Sequence, residues 1–194
     1  MPGSDSKGPV MSLSMSSVRA LEILDSRGRP TLSVTVALSD GSVAAAGVPS
    51  GASTGTREAV ELRDGDKARF GGAGVLNAVG HVNSEIAGFL VGRSFASLKD
   101  VDEALRDLDG TPHKSRLGAN ALVGVSMATA RAAALSAGQE LYEWLPSVGA
   151  EPRLPVPCFN VLNGGAHAPN ALDFQEFMVC PVGAKSMGDA VRAG

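Results

Sequence analysis

Three stretches of this 194-residue chain combine polar groups with backbone freedom in patterns that suit chemistry. The first is Pro49–Thr56, PSGASTGT, followed by EAVELRDGD over Glu58–Asp66. Gly51 and Gly55 let a loop bend tightly, while Ser50, Ser53 and Thr54 supply hydroxyls beside exposed amides. Such a loop can cradle an oxyanion or offer a hydroxyl oxygen to Mg²⁺. The same composition also suits a plain connecting loop. It is neither a GK[ST] phosphate loop nor a GxGxxG turn.

The second stretch is Asn163–Asn170, NGGAHAPN. A histidine in a glycine-rich loop just after an apolar strand can come close to a ligand, and His167 could donate to a phosphate or carboxylate. An isolated loop histidine is the alternative. His81 falls inside an amphipathic helical pattern and His113 in a polar loop, where structural or solvent-facing roles are expected. The third stretch, Asp173–Pro181, sets Glu176 into an otherwise hydrophobic strand. An unpaired buried charge is costly, so Glu176 is either paired, catalytic, or at a strand end that reaches water. Strand alternation puts Phe174, Glu176 and Met178 on one face and Gln175, Phe177 and Val179 on the other. Three histidines and scattered acids form no closed metal site and no nucleophile–histidine–acid set.

These stretches must be positioned by regular elements. Residues 1–17, rich in Ser, Gly and Pro, read as a flexible extension. Val18–Leu24 predicts a first strand. Leu32, Val34, Val36 and Leu38 alternate with polar or small residues as a half-buried strand, Asp40–Gly41 makes a hairpin turn, and Ser42–Val48 returns. The result is a three-stranded antiparallel meander. From Ala73 the period changes: Leu76, Val79, Val82, Asn83, Ile86 and Leu90 recur at spacings of three and four, closed by Gly92. Ser97 can cap a short helix carrying Val101, Leu105 and Leu108. Gly118–Ala137 predicts a helix of small residues that can approach its neighbours closely, and Gln139–Leu145 adds a further turn. Strands followed by helices make an α+β domain. After a linker at Gly149–Arg153, Leu154–Leu162 and Phe174–Val179 are short apolar runs, and Ser186 with Asp189 can open a last helix.

Composition excludes several classes. Lys and Arg number 17 against 20 Asp and Glu, a formal charge of −3, so a phosphate backbone finds no electrostatic support and nucleic-acid binding is not expected. The Ala-rich run near 121–137 contains Arg131 and reads as a buried helix, so no membrane span is expected. The N-terminus does not resemble a secretory signal, which suggests a cytoplasmic protein. Cys158 and Cys180 lie in apolar runs and are expected to be buried thiols.

The runs DSRGRPT (Asp25–Thr31), VPSGASTG (Val48–Gly55), ELRDGD (Glu61–Asp66), KSRLGANA (Lys114–Ala121), LPVPCFNVLNGGAHAPN (Leu154–Asn170) and FQEFMVCPVGA (Phe174–Ala184) resemble enolase, in that order. The resemblance covers about Val18 to Gly194. It implies an N-terminal α+β domain over residues 18–150 and the start of an α/β, TIM-like barrel over 151–194. Enolases interconvert 2-phosphoglycerate and phosphoenolpyruvate with loss of water, use two Mg²⁺ ions, and form dimers or octamers built of dimers. On the resemblance, Ser53 ligates the second Mg²⁺ when its loop closes, and Gly51 and Ala52 belong to that loop. His167 covers the substrate, Gln175 lies on the substrate side, and Glu176 supports the general acid.

The family's principal general acid, the carboxylates of its first metal site, its lysine base and its phosphate-gripping residues match nothing in these 194 residues. The chain alone is therefore expected to be a catalytically incomplete enolase fragment or truncated paralogue that does not bind Mg²⁺ tightly. Alternatives are a non-catalytic interaction or oligomerisation module, or one half of a split enzyme. Arg29 stands where the family usually has Asn, Ser33 where Glu commonly makes an intersubunit ion pair, and His113 where Asn is usual. The first two weaken the expectation of enolase-type self-association.

Overall fold

The computed structural model describes residues 12–51, 55–145 and 153–194. The chain divides into two compact units, residues 1–50 with 56–146, and residues 51–55 with 147–194.

The first unit is α+β. Strands β1 (Leu13–Leu24), β2 (Pro30–Leu38) and β3 (Val43–Gly47) form the expected antiparallel meander. A two-residue strand, β4 (Ser94–Phe95), extends it on the outer edge of β1, giving the order β3-β2-β1-β4. Two residues carry too little pattern to reveal a strand in advance. The extension over residues 1–17 is corrected: β1 starts at Leu13, and Leu13 and Met15 enter the core. A bulge hid this start. The register passes from Met15↔Leu38 to Ser17↔Ala37, leaving Ser16 extra, so the buried parity changes from Leu13 and Met15 to Val18 and Ala20. Residues 1–11 lie outside the described residues.

Leu32, Val34, Val36 and Leu38 all face the core, with the alternation that their sequence announces. Helices cover this face. Helix α1 (Leu76–His81), a π-turn (Val82–Ile86) and α2 (Ala87–Leu90) run consecutively and bury Ala78, Val82, Ile86 and Leu90. Asn83, within the helical periodicity, does not pack as an apolar residue. Its side-chain oxygen accepts from the Ala20 amide at 2.7 Å and its nitrogen donates to the Ala20 carbonyl at 3.0 Å, satisfying the edge of β1. Helix α3 (Leu98–Asp109) is capped by Ser97, whose hydroxyl accepts from the Asp100 amide at 3.2 Å, and closes on left-handed Gly110. The small-residue helix α4 (Ala119–Ser136) lies against β2 and β3, and α5 (Leu141–Trp144) follows.

The second unit contains β5 (Phe159–Asn163), a 3₁₀ turn (Gly165–His167), β6 (Glu176–Val179) and α6 (Met187–Ala193). Ser186 caps α6 by accepting from the Asp189 amide at 3.1 Å. Strands β5 and β6 pair antiparallel, whereas neighbouring strands of an ordinary (β/α)₈ barrel run parallel. Cys158 and Cys180, expected to be buried, are both exposed. A two-stranded ribbon buries little apolar surface by itself, and among its described residues this unit hides only Gly164 and Ala190.

Candidate active site

In the second unit, His167 is held from two sides. Its Nδ1 lies 2.9 Å from Oε1 of Glu176, and its Nε2 lies 3.1 Å from the Gln175 side-chain nitrogen. In the neutral ring, Nδ1–H donates to the Glu176 carboxylate while Nε2 accepts from the Gln175 amide. Turning the amide over would let Nε2–H donate to its oxygen and would suit an imidazolium. The triad therefore has two complete hydrogen-bonding states that differ by one proton. His167 and Glu176 are partly open to solvent, with side-chain exposures of 25% and 30%. Glu176 is thus neither an orphaned buried charge nor a free strand end.

The loop's glycines set this geometry. A Cβ on Gly164 would lie 2.5 Å from the Phe174 carbonyl oxygen and 2.6 Å from that of Leu172, a separation no side chain tolerates. That closeness lets the Gly164 amide donate to the Gln175 carbonyl at 3.0 Å and the Gly165 amide to Leu172 at 2.8 Å. Gly165 also has φ +56°, in the left-handed region. The Asn170 side chain donates to the Asn163 carbonyl at 2.9 Å and accepts from the Leu172 amide at 3.0 Å. The two glycines bring the turn bearing His167 onto the segment bearing Gln175 and Glu176. Strict alternation placed Gln175 and Glu176 on opposite faces, but β6 begins only at Glu176, so Gln175 bends to the same imidazole.

In the first unit, Ser50 is gripped at two points. Arg27 donates to its carbonyl at 2.7 Å and Arg63 to its hydroxyl at 2.9 Å. Arg63 also reaches the Pro30 carbonyl at 2.5 Å, the Ala73 carbonyl at 2.7 Å and Glu61 at 2.6 Å. Arg27 pairs with Asp25 at 3.1 Å, and Asp25 accepts the Arg27 and Arg29 amides across a turn made by left-handed Gly28. Those contacts, the Arg29 amide foremost, hold the Asp25 carboxyl below its ordinary range. The roles of Arg27 and Arg63 went unread in the sequence, although both lie in runs that carried the resemblance. Gly51 is described and exposed, whereas Ala52 and Ser53 lie outside the described residues.

The remaining acids of these runs are engaged structurally. Asp64 accepts the Leu76 and Asn77 amides at 2.9 and 2.8 Å, capping α1 from a distant loop. Glu22 pairs with Arg69, which holds its carboxyl below the ordinary range against the opposing effect of burial, and Glu22 also accepts the Val75 amide at 2.8 Å. Burial pushes the Asp109 carboxyl up, but the Thr111 hydroxyl and the Leu117 and Thr111 amides outweigh it and leave the group below its ordinary range. His81 contacts the Leu117 carbonyl at 3.1 Å, and the exposed His113 contributes its carbonyl to the Val60 amide at 2.7 Å.

Residues 15–145 match the family model described as enolase, N-terminal domain, and residues 151–194 match enolase, C-terminal TIM barrel domain. The chain belongs to the enolase family. The fold agrees, with an α+β unit followed by the opening strands of the barrel domain. Enolases as a family use Mg²⁺. Among the described residues, no group of three or more His, Cys, Asp or Glu side chains could hold a metal ion. The described donors therefore do not fit a Mg²⁺ site by themselves. No helix among the described residues is long and apolar enough to cross a membrane.

Proposed function

We propose that these residues serve the dehydration of 2-phosphoglycerate to phosphoenolpyruvate, a glycolytic hydro-lyase reaction, as the N-terminal and first barrel portion of an enolase. The observation that supports this most directly is the convergence of Glu176 and Gln175 on His167. In this reading His167 covers the substrate, Gln175 lies on the substrate side and fixes the imidazole ring, and Glu176 supports a general acid supplied from outside these residues. Gly51, Ala52 and Ser53 belong to a closing loop that follows Ser50, a residue held by Arg27 and Arg63. Ser53 as a ligand of the second Mg²⁺ is part of the same proposal, as is a cytoplasmic setting.

On the family resemblance, the lysine base and the phosphate-gripping residues match no position in these 194 residues, so in this reading the residues do not turn over by themselves. A second reading, that the chain works with a separately encoded polypeptide, is favoured by exposed apolar side chains on the second unit: Leu154, Phe174 and Val182 are 76%, 72% and 81% exposed. Enolase-type self-association is weakened by Ser33 and Arg29.

Both readings meet in one experiment. The chain is co-expressed with a polypeptide supplying the rest of an enolase barrel, in a host lacking its own enolase, and phosphoenolpyruvate formation is followed. Activity is expected only in the complex, and His167→Ala and Glu176→Gln should each lower it at least about 100-fold, as for loss of a positioned acid–base group. An active complex indifferent to both substitutions would overturn the catalytic reading. Turnover by the chain alone would overturn the claim that it is incomplete.

A further inference from the structure

Cys158 directly precedes β5 and Cys180 directly follows β6. The register Phe159↔Val179 and Asn160↔Met178 makes them the next opposed pair. Opposed residues of an antiparallel pair have Cα atoms about 4.5 or 5.5 Å apart, and both spacings fall in the range a disulfide spans. Their sulfurs are 3.3 Å apart, with the Cys180 thiol donating to Cys158, and both residues are exposed. Closing from 3.3 Å to the ~2.05 Å of a disulfide needs only small side-chain rotations. The pair takes no part in the His167–Gln175–Glu176 arrangement, and the proposed catalysis makes no use of it.

We propose that Cys158 and Cys180 form a redox-modification site, a cross-strand dithiol that closes reversibly into an intrachain disulfide tying β5 to β6. The oxidant is a low-molecular-weight disulfide. One cysteine thiolate attacks a sulfur of that disulfide, which releases one small thiol and leaves a mixed disulfide on the protein. The second cysteine, losing its proton to solvent, attacks the protein sulfur of that mixed disulfide and expels the second small thiol. Two protein thiols are thus oxidised to one disulfide, and one small disulfide is reduced to two thiols. The S–H that Cys180 shares with Cys158 pushes the Cys180 thiol up. The new bond closes a covalent ring around the loop that carries His167, Gln175 and Glu176, so oxidation restrains that loop whatever its chemistry.

The test equilibrates the full chain in reduced and oxidised glutathione mixtures, blocks remaining thiols by alkylation, and reads intact mass and peptide maps. The expected product is a monomer lighter by two hydrogens, with a Cys158–Cys180 linked peptide and no alkylated cysteine. Cys158→Ser and Cys180→Ser should each abolish that product and give a single glutathione adduct. In urea, half-oxidation should demand at least about tenfold more oxidised glutathione, because the strands no longer hold the thiols together. Two separate glutathione adducts, a disulfide between chains, or a midpoint unchanged in urea would overturn the proposal.

Discussion

Gly124 shows how closely α4 sits on the sheet that leads to Ser50. A Cβ at this position would lie 2.6 Å from Cγ2 of Val34 and 2.9 Å from Cγ2 of Val48. Non-bonded carbons settle at about 3.5–4.0 Å, so each methyl would have to retreat by roughly 0.6–0.9 Å. Neither can do so cheaply. Both valines are buried, stiff at χ1, and carried by the sheet or its immediate extension. Gly124→Ala gains about 1 kcal/mol of helix propensity. Overpacking a closed core costs about 1–3 kcal/mol, and two contacts with stiff partners put this site at the upper end. The net expectation is a loss of about 1–2 kcal/mol. Gly80 in α1 and Gly88 in α2 are internal controls, because a Cβ at either meets nothing within 4 Å. Gly80→Ala and Gly88→Ala should each stabilise by about 0.5–1 kcal/mol. Urea unfolding followed by the fluorescence of Trp144, the chain's one tryptophan and packed against this core, reads all three. A Gly124→Ala protein as stable as the two controls would refute the claim that side-chain volume, not backbone freedom, selects glycine here.

Asn83→Ala should cost about 1–2 kcal/mol in the same assay by leaving the Ala20 amide and carbonyl without partners; an unchanged urea midpoint would show that water replaces the side chain. Glu22 and Asp109 have folded-state pKa values below their ordinary 4.5 and 3.8, so their stabilisation is complete above those values and is lost as pH falls through the lower folded ones. Urea midpoints should therefore hold steady down to roughly pH 5 and then fall, and Glu22→Gln should flatten part of that acid limb. Gly164→Ala should separate the two sides of the His167 site: by proton NMR, the His167 ring resonances should respond to Glu176→Gln in the parent chain and not in the Gly164→Ala background.

Where one period ran unbroken, the fold was legible from residue types. Leu32–Leu38 gave β2, the spacing from Leu76 to Leu90 gave a helical run, and Ser97 marked the start of α3. Where a local device reset the period, legibility failed. The extra Ser16 inverted the parity of β1 and concealed its first residues, and Ser94–Phe95 was too short to pattern. The candidate site divides similarly. His167 and Glu176 were singled out from residue types, Gln175 from the resemblance, and the three side chains do meet. Their meeting depends on Gly164 approaching the backbone of residues 172–174, a long-range contact that no spacing rule encodes. Arg27 and Arg63 were missed because the residue they share, Ser50, brings together turns far apart in the chain.

That division bears on what family-like runs imply about chemistry. In ELRDGD, Glu61 is paired with Arg63 and Asp64 caps α1, while in KSRLGANA the Asn120 side chain binds both the amide and the carbonyl of Leu62 at 3.1 Å. Hydrogen bonds that build the first unit already engage these polar groups. The imidazole of His167 differs, because each of its two neighbours can partner either protonation state, and it remains partly open to solvent. A group that can exchange a proton without losing its hydrogen bonds is what acid–base work requires, and a group engaged in capping or strand-edge pairing cannot leave without unfolding something. The density of family-like sequence therefore measures mainly how strictly the fold is specified. Chemistry is better sought in the smaller set of polar side chains whose partners would survive a change of charge.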